Sequence, residues 1–301
     1  MRLLVITNLF PNSLEPNRGL FNLQQLEALR NEPDVSIRVV SPLPWSPRLG
    51  LKERWRRYAE LPGEEEIRGF KVYHPRYVVI PKVLRSLYGV SFYLGIKGCV
   101  ARLRREFPFD VILATWAYPD AFGSVLLGRR IGVPCLVKVH GTDINHHTRH
   151  LLRRMMITWA LRRAPGVIAV SDKLKQTMVR CGIPERSITV LTNGVNGTSF
   201  APMPRAECRE RLGLDPTQKI ILYVGYLKVG KGVLDLLEAF NRLDGREGVR
   251  LVYVGDGPDR AVLEELIRRR GLGRSGRQKG LGRRVTTCCY WRRTCRGIKT
   301  C

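Results

Sequence analysis

The sequence predicts an α/β protein in which parallel β-sheets are covered by helices. Short apolar runs of strand length alternate with longer stretches of helical period, and loops bearing glycine or proline separate them. The alternation stops near residue 197 and starts again at Lys219, which together with a length of 301 residues predicts two domains. A hydrophobic content of 44% is enough for a core in each.

Taken in order, Leu3–Thr7 reads as a strand. A long loop through Pro11 and Pro16 leads to Gly19 and a helix over Leu20–Leu29. Val35–Val40 is a second strand, after which Pro42, Pro44 and Pro47 predict irregular chain. Phe70–Tyr73 is a strand, Val83–Arg105 a helix with a basic end, Val111–Thr115 a strand, and the chain from Pro119 to Ile131 a helix. Pro134–Val139 is a strand, Thr148–Arg163 a helix with Leu152, Met156 and Trp159 on its core face and its arginines in solvent, and Gly166–Ser171 a strand. Ile188–Leu191 is one more short strand, and Thr192–Val195 a turn suited to an interdomain crossing. Asn196-Gly197-Thr198 fits a glycosylation sequon but reads as a turn. The second series runs strand Lys219–Val224, helix Val233–Phe240, strand Arg250–Val254 and helix Asp259–Arg270. Two strand–helix pairs predict a thin core there.

No apolar run reaches the roughly 18 to 20 residues of a membrane span, and Leu3–Ile6 is too short for a signal-peptide core. A cytoplasmic protein is expected, with peripheral contact at the inner face of the plasma membrane as an open addition. The basic, aromatic stretches Trp45–Tyr58 and Thr148–Arg163 would suit such contact, although solvated helix faces explain them as well. The balance of 52 Lys and Arg against 26 Asp and Glu gives +26, a value that points towards nucleic acid or anionic membrane. Residues 274–301 hold nine of the basic residues and no acid, which leaves 43 against 26, or +17, before them. With no recognised binding module, nucleic acid is not expected as a partner. Cys99, Cys135, Cys181 and Cys208 are scattered as reduced thiols would be, whereas Cys288, Cys289, Cys295 and Cys301 crowd the end.

The chemistry is expected where strands end. Lys219–Val224, Gly225, the short loop to Gly230 and Lys231-Gly232 form a strand–loop–helix junction, which sets helix-start N–H groups and an ammonium where a diphosphate would be held. An ordinary turn with a solvated lysine is the alternative. His140-Gly141-Thr142-Asp143 follows another strand, so His140 is placed to hydrogen-bond a sugar hydroxyl or to serve structurally. The cluster His140, His146, His147 and His150 lacks zinc-type spacing, and no Asp-x-Asp occurs. No metal and no cofactor are expected.

The order of His140-Gly141-Thr142-Asp143, Ala169-Val170-Ser171, Asn193-Gly194-Val195 with Phe200 and Pro202, Val224-Gly225 with Lys231-Gly232, and Val254-Gly255-Asp256-Gly257-Pro258 resembles the retaining glycosyltransferases of the GT-B fold, family 4 (group 1). The resemblance covers residues 1 to about 273. It implies two Rossmann-like domains with parallel sheets: an acceptor-side domain over 1–197 and a partial nucleotide-sugar domain over 198–273. Gly19 would approach the donor phosphates, His140 would contact the transferred sugar and Lys231 would neutralise the diphosphate leaving group. Gly225, Gly255, Asp256 and Gly257 would lie near the nucleotide, of UDP or GDP type. Tyr226 stands where many members carry arginine, and Lys228 is a candidate for the second charge.

After Gly273 the family would continue with further strands, helices and a pair of glutamates eight positions apart that hold sugar and ribose. Residues 274–301 instead form a basic, cysteine-rich stretch without apolar period, expected to be unstructured and resembling translation in a wrong frame. A basic tail for nucleic acid or lipid, or a cysteine metal site, are the rival readings. The function expected is sugar transfer from a nucleotide-sugar to a hydroxyl on a sugar or lipid-linked acceptor, in cell-surface polysaccharide or glycolipid synthesis. A non-catalytic remnant that binds a sugar or lipid-linked partner is the alternative, and an epimerase on the same fold a third reading.

Overall fold

A computed structural model of the protein describes residues 1–45, 53–79, 85–145, 147–198, 200–243, 248–272 and 288–291. The chain divides into two compact units, Met1–Gly194 and Val195–Cys301, three residues before the expected 197/198 boundary.

In the first unit the elements run β1 (Arg2–Ile6), α1 (Leu20–Arg30), β2 (Ser36–Val40), β3 (Leu43–Trp45), α2 (Glu53–Glu60), β4 (Glu64–Ile67), β5 (Phe70–Tyr73), β6 (Arg76–Val78), α3 (Tyr88–Glu106), β7 (Val111–Ala114), α4 (Phe122–Ile131), β8 (Cys135–Val139), α5 (Thr142–Asn145), α6 (Leu151–Arg163), β9 (Val167–Ala169), α7 (Asp172–Arg180) and β10 (Ile188–Val190). Eight strands make one sheet in the order β10-β9-β8-β7-β1-β2-β5-β4, and only β4 is antiparallel to its neighbour. Along β1 the side chains alternate between two cores. Leu4 and Ile6 join the core under α3, α4, α6 and α7, and Leu3 and Val5 join the one under α1. Each such leucine, valine or isoleucine taken fully from water contributes about 1.5–3 kcal/mol.

The sheet order fixes where a ligand can enter. From β1 the chain passes to β2 on one side, while β7, β8, β9 and β10 step away on the other. The crevice outside the C-terminal ends of β1 and β7 is therefore a topological switch point.

Several elements depart from the expected pattern. Leu43–Trp45 pairs with Arg76–Val78 as a small separate sheet despite Pro44, whose missing N–H is tolerable in a two-stranded edge. The helix expected from Val83 begins at Tyr88, after a 3₁₀ turn over Arg85–Leu87. The helix expected from Thr148 begins at Leu151; Met156 and Trp159 pack against the core as expected, beside the fully inward Arg153, Ile157, Ala160 and Leu161, while Leu152 is 58% exposed. Helix α7 was absent from the expected series. Ser171, taken as the last residue of a strand, is its N-cap and accepts the Leu174 N–H at 3.3 Å. The sequon is a turn as expected: the Asn196 side chain accepts both the backbone N–H and the hydroxyl of Thr198.

The second unit contains α8 (Arg205–Arg211), β11 (Lys219–Val224), α9 (Val233–Asn241), β12 (Val249–Val254), α10 (Arg260–Arg269) and β13 (Cys288–Trp291). Its parallel sheet runs β11-β12-β13, with a core that includes Leu227, Val233, Leu237, Phe240, Leu251 and Tyr253. Of the basic tail only Cys288–Trp291 is described, as a strand beside β12; the rest of 274–301 lies outside the described residues.

Candidate functional site

Each unit carries expected site residues where its strands end. In the first, the helix that follows Gly19 reaches His140 through Phe21. The His140 ring centroid is 4.7 Å from that of Phe21, in the first turn of α1, and 6.1 Å from that of Trp116, which stacks on it at 24°. Burial pushes the His140 imidazole down to about 4, with the Lys138 ammonium adding repulsion, so the ring is neutral at pH 7. Its Nε2 is buried without a hydrogen-bond partner among the described residues. A neutral ring with one nitrogen unengaged can exchange a hydrogen bond with a ligand hydroxyl without holding a charge.

Gly19 adopts φ +59°, and a Cβ there would stand 2.1 Å from the Leu9 carbonyl oxygen. Its need for glycine thus arises from the close approach of the chain's own loop. The same loop is fixed by the Asn22 amide, which donates to the Leu9 carbonyl at 2.8 Å, and by the Arg18 Nε–H, which donates to the Asn8 carbonyl at 2.9 Å.

Two buried carboxyl groups hold the loops around His140, and neither was assigned a role from the sequence. Asp143 accepts the N–H groups of Ala117 at 2.9 Å, His140 at 3.1 Å and Ile144 at 3.1 Å, which ties the loop after β8 to the π-helical turn Ala117–Ala121 after β7. Burial raises its pKa, and these donors oppose the rise. Asp120 accepts the Asn8 N–H at 2.7 Å across the switch point. Burial pushes the Asp120 carboxyl up to about 8. The Asn8 N–H and Arg18 oppose that rise, and Asp143 adds to it. A carboxyl whose folded pKa lies above the ordinary 3.8 favours folding fully below about pH 4 and loses that contribution as pH rises through about 8. Asp120→Asn should therefore be more stable than the parent at pH 9 by about 1–3 kcal/mol, with the difference shrinking or reversing at pH 5. Urea titrations at the two pH values test this, and a difference independent of pH would contradict it.

Lys138 was also missed. It is 1% exposed on β8, where its ammonium donates to Gln25 Oε1 at 2.6 Å and Asn193 Oδ1 at 2.8 Å. Burial lowers its pKa to about 8. A lone lysine in an apolar strand reads as solvent-facing, but a parallel sheet is covered on both faces.

In the second unit the ends of β11 and β12 place Gly225, Lys228, Lys231, Gly255, Asp256 and Gly257 together. The two loops lie backbone against backbone: Gly225 N–H donates to the Val254 carbonyl at 2.9 Å and Leu227 N–H to the Asp256 carbonyl at 3.0 Å. A Cβ on Gly255 would come 1.8 Å from the Gly225 oxygen, and one on Gly257 2.1 Å from the Leu227 oxygen. These glycines are required by the contact between loops, a reason the sequence did not reveal. Asp256 is exposed, and its Oδ1 accepts the Gly257 N–H at 2.9 Å.

Lys231 ends a 3₁₀ turn over Val229–Lys231, directly before Gly232 caps α9 with φ 77°. Its N–H donates to the Lys228 carbonyl at 2.8 Å, and Asp259 Oδ2 holds the turn by accepting the Val229 N–H at 2.7 Å. Both lysine side chains are exposed, and neither is paired with a carboxylate among the described residues. Two ammonium groups beside the N-terminus of a nine-residue helix suit an anion with more than one phosphate. Among the described residues no group of three or more His, Cys, Asp or Glu is placed to hold a metal.

Comparison with known proteins shows the family. The model of Glycosyltransferase Family 4 matches residues 28–198, more than half of the chain, and that of Glycosyl transferases group 1 matches residues 204–277. The chain is 29% identical over 278 residues to TuaC of Bacillus subtilis (strain 168), a protein assigned as a teichuronic acid biosynthesis glycosyltransferase, covering 88% of this chain and 68% of TuaC. It is 31% identical over 213 residues to the alpha-D-kanosaminyltransferase of Streptomyces kanamyceticus, covering 64% of this chain and 55% of the relative. The crystal structure of Anabaena Alr3699/HepE in complex with UDP superposes with a TM-score of 0.59 at 16% identity, over 97% of this chain and 70% of HepE. The fold is GT-B, and the chain belongs to glycosyltransferase family 4.

Proposed function

We propose that the chain transfers a glycosyl group, with retention, from a UDP- or GDP-sugar to a hydroxyl on a sugar or lipid-linked acceptor, in the synthesis of a cell-surface polysaccharide or glycolipid. The observation that carries this reading is the Lys228–Lys231 turn, which holds two unpaired ammonium groups at the end of β11 and the start of α9. When the bond between the anomeric carbon and the phosphate oxygen breaks, charge gathers on the diphosphate. A cation fixed beside it is then worth more than in the ground state. In this reading Gly225, Gly255, Asp256 and Gly257 lie near the nucleotide, while Gly19 and neutral His140 keep the roles that the family resemblance implies, at the donor phosphates and the sugar. Lysine charge takes the place a metal would have, so no metal is required. The acceptor class is supported by the assignment of TuaC to teichuronic acid synthesis.

The purified chain, given UDP- and GDP-sugars without acceptor, should bind one class and slowly release the nucleoside diphosphate, in the presence of EDTA as in its absence. Binding without any release would favour the non-catalytic reading, and no binding of either class would overturn the proposal.

A further inference from the structure

The buried cation of the first unit, Lys138, has no part in the proposed reaction. Val137 and Val139 on either side of it pack into the core under α3, α4, α6 and α7. Alternation along β8 therefore turns Lys138 to the opposite face, where Leu136 packs against the core under α1. No carboxylate stands beside the ammonium: among the described residues its partners are the neutral side-chain oxygens of Gln25 and Asn193. Burial works against its charge. An apolar side chain of similar length would fill the same space without that cost, so packing alone does not account for a lysine here.

Its two bonds join three parts of the unit. Gln25 lies on α1 one turn after Phe21, so the two side chains share a face of the helix. The Phe21 ring packs 4.7 Å from that of His140, and His140 follows Lys138 by two residues at the end of β8. Strand and helix thus meet twice, once through Lys138 and Gln25 and once through His140 and Phe21. Asn193, three residues past β10 and second to last in the unit, holds the ammonium from a third element. Apolar contacts have no preferred direction, whereas a hydrogen bond from a charged donor has one and is about twice as strong as a neutral bond. The bond to Gln25 therefore opposes sliding of α1 along β8, which the apolar contacts would permit.

We infer that Lys138 is a positioning residue for His140: its ammonium, anchored by Asn193, fastens α1 through Gln25 at the height that keeps the Phe21 ring against the imidazole. The effect on catalysis rests on the proposed contact between His140 and the transferred sugar. The positioning itself can be read without any substrate.

The proton signals of the histidine rings give that reading in the full chain at pH 7 without nucleotide, that of His140 being identified by its loss in His140→Gln. The Phe21 and Trp116 rings displace this signal from its ordinary place. Lys138→Met and Gln25→Ala should each return it part of the way. Gln25→Ala keeps the lysine charge, so a change common to both variants reports geometry and not the field of the ammonium. It also puts a good helix former at a half-buried position, so it carries the test alone if Lys138→Met does not fold. Asn193→Asp, which gives the ammonium a carboxylate, should leave the signal where it is. Release of nucleoside diphosphate from a nucleotide-sugar should fall on the order of 10-fold or more in Lys138→Met and Gln25→Ala, with nucleotide affinity little changed. A His140 signal unmoved in both variants would overturn the inference, as would a moved signal with release as fast as in the parent. Equal movement of the His74 signal would show general loosening and overturn it too. Moved signals in a chain whose parent releases no nucleotide would uphold the positioning and sink the proposed reaction alone.

Discussion

Lys231→Ala should lower the turnover of a nucleotide-sugar on the order of 10² to 10³ while leaving the fold as it is, by analogy with the removal of one donor from an oxyanion hole. The side chain is exposed on a turn whose backbone is held by Asp259 and Lys228, so its loss opens no core. The effect should fall on the chemical step, because the ammonium meets its strongest partner only as the diphosphate separates. Single-turnover release of the nucleoside diphosphate would then slow far more than nucleotide binding weakens. Lys231→Arg should recover part of the rate, and Lys228→Ala should affect nucleotide binding. Turnover of Lys231→Ala near that of the parent would remove the lysine turn from the mechanism and with it the main support for the proposed reaction.

The second large effect is expected at Asp143. Asp143→Ala should cost about 3–5 kcal/mol of stability, since three backbone N–H groups at Ala117, His140 and Ile144 lose their acceptor in a place that water does not reach freely. That loss approaches the whole stability of many domains, so the variant is expected to express poorly. Asp143→Asn keeps one acceptor oxygen but sets an NH₂ among N–H donors, and should lose about half as much. Urea unfolding gives the difference, and Trp116 fluorescence gives a local readout, because the released loop carries His140 away from the indole it stacks on. A loss below about 1 kcal/mol in both variants would show that the carboxylate does not hold the two loops together.

Much of this molecule was legible before its structure. The strand and helix series of both units, their parallel sheets and the placement of His140 and Lys231 after strand ends followed from apolar period and loop residues. The errors have local causes. Helix α6, Leu-Leu-Arg-Arg-Met-Met-Ile-Thr-Trp-Ala-Leu-Arg-Arg, is apolar on every side at some point, so period alone does not say whether Leu152 or Arg153 turns inward. Contacts with the turn after β7 and with α4 decide it, and no local pattern encodes them. Ser171 carried an N-cap signal that the strand reading absorbed. Asp120 and Asp143 act through backbone groups distant in sequence, as Asn8 and Ala117 show, so their roles appear only when the strands are side by side.

The glycines at 255 and 257 were expected to lie near the nucleotide, and the backbone of the neighbouring loop fills the space that a side chain there would take. This has an evolutionary consequence. The close approach of the paired turns is made by main chain, so Tyr226, which projects from them at 59% exposure, is free to be exchanged without disturbing that approach. A lineage built this way can vary that outward position with little effect on folding, while a side chain at position 255 or 257 would collide with the facing loop.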